Sequence, residues 1–426
     1  MVRHVSAPSK AGRSVFGAAA VMLTALLALG GCGSSQGSTS ARTSAAGIPP
    51  MSCPEAVLYA LSRVVRHVYH EGVSSERTAV ARRAIETSVP LREAVQGGNA
   101  PAARAAAEAL VASGRMTNLR VMRGTRLLAD VGGPAVTPLQ GTLTGAGGAA
   151  IGSYVTSVWS DFGFLAESNG IGQGRVALRA RGRSVGGSLA LPPGPLPKTG
   201  TLVQDHVRYR YASFAAKAFP AGSMRVYLLK PVSSTAAFCG ASSEDTVVNT
   251  LSRVASVIYA GEAGGRTVPQ IRRVQSDQAL LGAVARSDPA ATRVAVERLL
   301  TQHIVRMRVN AGGRLLADVG GPYVLAPVRA PLSLGGREIG SIVLSIQDDE
   351  GYLRLTRRLV GVNVLMYMNT PRPQLVKNSL GPEPGTVPDS GSYTYRGRRF
   401  RVFTLHAAAF PSGPLKINVL IPIPYS

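Results

Sequence analysis

The chain reads as an α+β protein made of two homologous domains, each with amino-terminal helices packed on a mostly antiparallel sheet. Three observations predict this. The nonapeptide RLLADVGGP stands at residues 126–134 and returns at residues 314–322, 188 positions later (314 − 126). Other stretches repeat around it in the same order and at nearly the same offset. Within each copy the apolar spacing then drops from three-and-four, the helical period, to two, the period of a strand.

The amino terminus reads as an address. Arg3, Lys10 and Arg13 precede an apolar run of about 15 residues, and Leu29, Gly30, Gly31 and Cys32 follow. That order marks a secretory signal, and the run is short of the ~20 residues a spanning helix needs. The four residues resemble the lipobox of bacterial lipoproteins. The resemblance implies removal of residues 1–31, a diacylglyceryl thioether on Cys32 and fatty acylation, palmitate included, of its new amino group. Two or more acyl chains anchor a protein stably, whereas one holds it marginally. Residues 32–50, rich in Gly, Ser and Thr, are expected to form a flexible tether on the outer face of the cell membrane.

The repeat sets the organisation that follows. LSRVVRHVY at 61–69 matches LSRVASVIY at 251–259, and IGSYVTSVWSDFGFL at 151–165 matches IGSIVLSIQDDEGYL at 339–353. AFPAGSMRVYLL near the end of the first copy answers AFPSGPLKINVL in the second. The expected domains span residues 51–232 and 235–426, with the junction in PVSSTAAF. A duplicated pair of independent domains should show no continuous core across the junction near Ser233.

Each copy has the same element order. Helices are expected at 54–70 and 101–113, and at 245–259 and 289–303, where GNAP and SDP supply caps and first-turn prolines. IVRMRV, the turn NAGG and RLLADV form a hairpin, and APLSL pairs with IGSIVLSI around Gly335 and Gly336. DDEGYLRLTRRL is a short helix and VNVLMYM a strand. SYTYRGRRFRVFTLHAAAF turns at Arg396 and Gly397, and LKINVLIPI closes the sheet.

This order, with the phrases RMRVNAGGRLLADVGGP, REIGSIVLSIQDDEGYL and RFRVFTLHAAAFPSGPLKINVLIP, resembles the Cache family of extracytoplasmic sensor domains, relatives of the PAS fold. The resemblance implies a ligand held between the sheet and its connecting loops. The arginine–tyrosine–aspartate pattern of amino-acid-binding members is not visible here, so it does not point to an amino acid.

Candidate site residues cluster at strand ends. Asp130 and Asp318 end the repeated hairpin strand, where each either caps the Gly-Gly-Pro turn or faces a pocket, with Tyr323 beside Asp318. Asp161 and Asp349 align before a helix, as helix caps or as polarising groups of a pocket walled by Trp159 in one copy and Tyr352 in the other. The second copy, with the cleaner strand alternation, is expected to be the one that binds. Cys53 and Cys239 each open a repeat, and either pair or remain two buried thiols.

Other chemistry is missing. Lys and Arg number 47 against 23 Asp and Glu, a formal +24, and lysine stands at six positions only. The arginines are scattered without a dense basic run or interleaved aromatics, so nucleic acid is not an expected partner. His67 and His70 sit three apart without a carboxylate motif and read as surface histidines, and no metal, cofactor or enzymatic constellation is expected. The function expected is a lipid-anchored extracytoplasmic ligand-binding or sensory protein, taking a small molecule and acting through a separate membrane receptor. The alternative is a structural or adhesive envelope protein whose arginines bind anionic wall polymer.

Overall fold

The computed structural model describes residues 48–264, 267–300, 303–322, 324–368, 373–411 and 413–425. Cys32, the lipobox, most of the tether and Tyr323 therefore lie outside the described residues. The described residues form one compact unit.

The first copy opens with α1 (Cys53–Ser74), α2 (Glu76–Glu86), α3 (Val89–Gly97) and α4 (Ala100–Ala112). Then come β1 (Asn118–Arg123), β2 (Arg126–Gly132), β3 (Ala135–Val136), β4 (Leu139–Thr144), β5 (Ala150–Ser157) and β6 (Trp159–Ser160). Helix α5 (Asp161–Gly172) leads into β7 (Arg175–Ala180), β8 (Arg183–Gly187), β9 (Thr199–Gln204), β10 (Val207–Phe219) and β11 (Gly222–Pro231). The second copy repeats this order with α6 (Ser243–Ala263), α7 (Thr267–Gln275), α8 (Gln278–Ala285) and α9 (Pro289–Leu299). Its strands are β12 (Arg306–Ala311), β13 (Arg314–Gly320), β14 (Val324–Leu325), β15 (Val328–Leu334), β16 (Arg337–Ser345) and β17 (Gln347–Asp348). After α10 (Asp349–Val360) come β18 (Asn363–Met368), β19 (Gln374–Asn378), β20 (Gly391–Tyr395), β21 (Arg398–Phe410) and β22 (Gly413–Ile423).

Local signals explain the helix starts. The Ser52 N–H donates to Glu55 at 3.0 Å, one arm of a capping box at the head of α1, and Pro54 sits in the first turn. Asn99 and Asp288 cap α4 and α9 by accepting from the N–H groups of Ala102 and Ala291, at 3.1 and 3.0 Å. Each copy has four helices ahead of its strands rather than the two expected. The extra ones are short, and α2 buries only Thr78, Ala81 and Ile85, too few to impose a visible period.

The single sheet expected per copy is two sheets. A four-stranded one has the order β2-β1-β5-β4, and a seven-stranded one runs β6-β3-β10-β11-β7-β8 with β9 on β10. The second copy repeats both, as β13-β12-β16-β15 and β17-β14-β21-β22-β18-β19 with β20 on β21. The phrase RLLADVGGP is where the chain leaves the small sheet for the large one. Gly132 and Gly320 end β2 and β13 with φ of 93° and 130°, a region that favours glycine. A Cβ at either would also collide with the neighbouring strand, at the Thr117 or the Val305 carbonyl.

The expectation of two separately cored domains does not hold. One apolar cluster takes in the inner faces of both seven-stranded sheets and the helices between them. Helix α1 lies on β10 and β11 and α6 on β21 and β22, while α1 and α6 pack on each other. The packing is reciprocal: α10 of the second copy rests on α1, and α5 of the first on α6. The small sheets keep their own cores with α2–α4 and α7–α9.

Polar ties cross the same layer. Tyr59 donates to the Tyr425 carbonyl at 2.8 Å, the Met51 N–H donates to Ser243 Oγ at 2.7 Å, and Glu71 pairs with Arg358. Cys53 and Cys239 form a disulfide with Cα atoms 5.5 Å apart, which staples the heads of α1 and α6. His67 is not a surface residue; it packs over Gly361 and edge-on to Tyr425 at 6.3 Å. Burial pushes its imidazole pKa down, and the charges of His70 and Arg63 act in the same direction.

The disulfide closes a loop with a sequence separation of 186 residues. Replacing Cys53 and Cys239 by Ser should lower unfolding free energy by about 2–5 kcal/mol, read from urea melts. Gly320→Ala should cost roughly 2 kcal/mol or more in the same assay, whereas Gly321→Ala, with open space around it, should be nearly neutral.

Candidate functional site

The repeated aspartates are held within the protein. Arg120 stands directly opposite Asp130 across the β1–β2 ladder, and their side chains meet at 2.6 Å. In the second copy Asp318 accepts from Arg306 at 2.9 Å and from Arg308 at 2.7 Å. These arginines also cover the aromatic rings that end the long strands. Arg120 lies 4.4 Å from the Phe219 ring centre, and Arg308 4.8 Å from that of Phe410. The ion pair thus ties the small sheet to the tip of the large one. Burial pushes the Asp318 carboxyl upward, but the hydrogen bonds and charges of Arg306 and Arg308 outweigh it and hold its pKa below the ordinary range.

The other sequence candidates do not converge on a pocket. Ser160 and Asp348, not Asp161 and Asp349, are the caps, accepting from the N–H groups of Gly163 at 3.0 Å and Gly351 at 2.6 Å. Asp161 and Asp349 occupy the first helical position instead, where their carboxylates accept from the next N–H. Burial raises the pKa of Asp349, with Lys377 at 3.4 Å opposing it. Tyr352 is a core residue, fully buried, with its hydroxyl on the Ala255 carbonyl at 3.1 Å. Trp159 is half-buried under the Arg77 guanidinium at 5.4 Å. A cleft of about 590 Å³ does lie beside Gln347, Asp348 and Gly351, but Asp348 is spent on its cap and Arg358 on Glu71.

A different cleft, of about 570 Å³, opens on the outer face of the first seven-stranded sheet. Strand alternation builds it. On β7, Val176, Leu178 and Ala180 turn into the helix layer, so Ala177 and Arg179 turn out. On β11, Arg225 and Tyr227 face the same way, and Arg225 stands directly opposite Arg179 on one side and Ala215 on the other. Leu196 and Pro195, from the segment joining β8 and β9, form the wall above, and Arg181 stands at the rim.

The electrostatics of this cleft are unbalanced. Like charges directly opposite each other on a sheet are destabilising, and buried charge is normally paired. Arg179 is only 5% exposed, yet its hydrogen bond goes to a neutral group, the Gly182 carbonyl at 2.8 Å. Arg225 donates to Ser213 Oγ at 2.9 Å. Nη1 of Arg179 and Nε of Arg225 are buried with no hydrogen-bond partner, and among the described residues no carboxylate pairs with either guanidinium. The result is two adjacent guanidinium groups without a neutralising acid, beside Tyr227 and an apolar wall.

Sequence reasoning passed over these residues. The signal was present as a charge drought: between Glu167 and Glu244 the chain has ten Lys and Arg but a single acid, Asp205. The alternation in RVALRA and MRVYLL then sets Arg179 and Arg225 on the outward face. Both outer faces carry a covering segment: Leu189, Leu191 and Leu196 pack with Tyr209, Tyr211 and Tyr227 in the first copy, and Leu380, Val387, Tyr393 and Tyr395 pack with Phe400 and Leu420 in the second.

No protein-family model matches the chain, and no curated protein matches it. Among solved structures, the periplasmic domain of LuxQ from Vibrio cholerae aligns at 14% identity and a TM-score of 0.27, over 39% of this chain and 96% of that one. The ligand-binding domain of the Pseudomonas fluorescens chemoreceptor CtaA, solved with L-isoleucine, aligns at 9% identity and 0.25, over 41% and 94%. An extracellular ligand-binding receptor from Desulfohalobium retbaense aligns at 12% identity and 0.25, over 53% and 47%. Superpositions this loose transfer neither a site nor a ligand.

Asp318→Asn gives the pH test of the hairpin pair. A carboxyl with a depressed folded pKa contributes stability above its unfolded value of about 3.9 and loses it as pH falls through the folded value. The substitution should therefore cost roughly 1–3 kcal/mol at pH 7 and progressively less below about pH 4, in denaturant melts across pH.

Proposed function

We propose that the chain is a lipid-anchored, extracytoplasmic ligand-binding protein with a sensory role, in which the cleft on the outer sheet of the first copy takes a small molecule. The observation that supports this reading is a largely apolar concavity lined by Arg179 and Arg225 with no acid among its lining residues, the usual composition of a small-molecule site. The resemblance to tandem Cache-like units and to a lipobox at Cys32 supports a position on the outer face of the membrane. No helix among the described residues is long and apolar enough to cross a membrane. We read the protein as non-catalytic, handing its state to a separate membrane partner.

The helix layer supplies a route for that hand-over. Strands β7 and β11 carry the cleft on one face and the packing of α1 and α5 on the other. A ligand that draws Arg179 and Arg225 together favours one spacing of these strands, and therefore one packing of the helices. The adhesive reading has no comparable support, because its arginines would need only exposure.

Thermal-shift screening of the full-length chain against small organic acids, amines and amino acids tests the proposal. At 100 times its Kd a ligand adds about 2.7 kcal/mol of stability, enough for a rise of a few degrees. A library in which no compound of any charge stabilises the protein sinks the reading. Cys32→Ala should in parallel abolish partitioning into a detergent phase.

A further inference from the structure

We infer that the cleft is specific for a small organic carboxylate, which stands where the second copy carries a carboxylate of its own. The inference rests on the ligand-binding reading above and names the ligand's chemistry.

The ladders align the two outer faces residue by residue. Arg179 opposite Arg225 on β7 and β11 corresponds to Tyr367 opposite Lys416 on β18 and β22. Ser213 opposite Tyr227 on β10 and β11 corresponds to Thr404 opposite Asn418 on β21 and β22. Each face is crossed by a covering segment that takes a hydrogen bond from the matching hydroxyl. Ser213 donates to the Lys198 carbonyl at 3.0 Å, and Thr404 to the Asp389 carbonyl at 2.7 Å. Lys198 is therefore the counterpart of Asp389.

That correspondence inverts the charge. In the second copy the Asp389 carboxylate accepts from Lys416 at 2.8 Å, and the ammonium lies 5.0 Å from the centre of the Tyr367 ring. One cation meets one built-in carboxylate, and the face is complete. The first copy has an arginine for that lysine, a second arginine for that tyrosine, and a lysine where the acid stood. It has lost the internal anion and gained two cations. Both guanidinium groups line the cleft without an acid among its lining residues, and guanidinium forks suit the planar carboxylate. Tyr227, Pro195 and Leu196 offer apolar contact to whatever carries it.

Titration calorimetry on the full-length chain tests this with 3-methylbutyrate and phenylacetate, the amide of each, inorganic phosphate and polygalacturonate. The acids should bind with one site per chain and the amides at least 10-fold more weakly. Arg225→Gln should weaken the acids by about 10- to 100-fold without lowering the melting temperature of the free protein, since it relieves a like-charge contact. Lys198→Asp should restore the arrangement of the second copy, blocking the acids while raising that melting temperature. Amides that bind as well as acids, or acids that bind Arg225→Gln unchanged, overturn the carboxylate assignment and leave ligand binding standing. Tighter binding of phosphate or polygalacturonate than of either acid also overturns it. Absence of any binding, with a lowered melting temperature in both variants, removes the ligand-binding reading as well.

Discussion

Helix α1 cannot be buried by its own repeat, and the architecture follows from that. Its apolar residues include Ala56, Leu61, Val64, Val65 and Val68, all without solvent exposure. They extend over a face too wide for one sheet to cover, so α1 requires a second partner on its far side. Helix α6 has the same problem. Each supplies the other's missing cover, with α5 and α10 closing the edges in reciprocal fashion. The disulfide and the bond from Met51 to Ser243 hold the two helices together where both begin, and Tyr59 ties α1 to Tyr425 beyond β22.

This shared layer separates what the repeats must keep from what they are free to change. The inner sheet faces, the tyrosines Tyr69 and Tyr259, and the Arg–Asp–Phe contacts stay alike because each fixes a helix or a small sheet onto a large one. Tyr69 accepts from the Lys217 N–H at 2.8 Å, and Tyr259 donates to the Ala408 carbonyl at 2.7 Å, on equivalent long strands. The outer faces carry no such duty. There the second copy pairs Lys416 with Asp389, and the first sets Arg179 opposite Arg225 in a cleft without an acid.

Much of this was legible in the residues. The repeat, the strand hairpins, the helix of DDEGYLRLTRRL and the mostly antiparallel pairing followed from period and turn chemistry. The division into two sheets did not, because β3 and β14 are two residues long and have no period of their own. The common core did not either: an apolar helix face shows that something covers it but not which copy supplies the cover. Among candidate residues, acids at strand ends drew attention through their recurrence. Recurrence proved to mark structure, since Asp130, Asp318 and the cap residues serve the same local bonds in both copies. The cleft residues differ between copies, so a search for shared motifs passes over them.

The central claim is that both repeats fold as one unit around the α1–α6 layer. Scanning calorimetry of the full-length chain tests it most directly, with the disulfide intact and in the Cys53→Ser, Cys239→Ser variant. The account predicts one transition in each, with calorimetric and van't Hoff enthalpies equal. Two transitions, one per repeat, appearing once the disulfide is gone would contradict it.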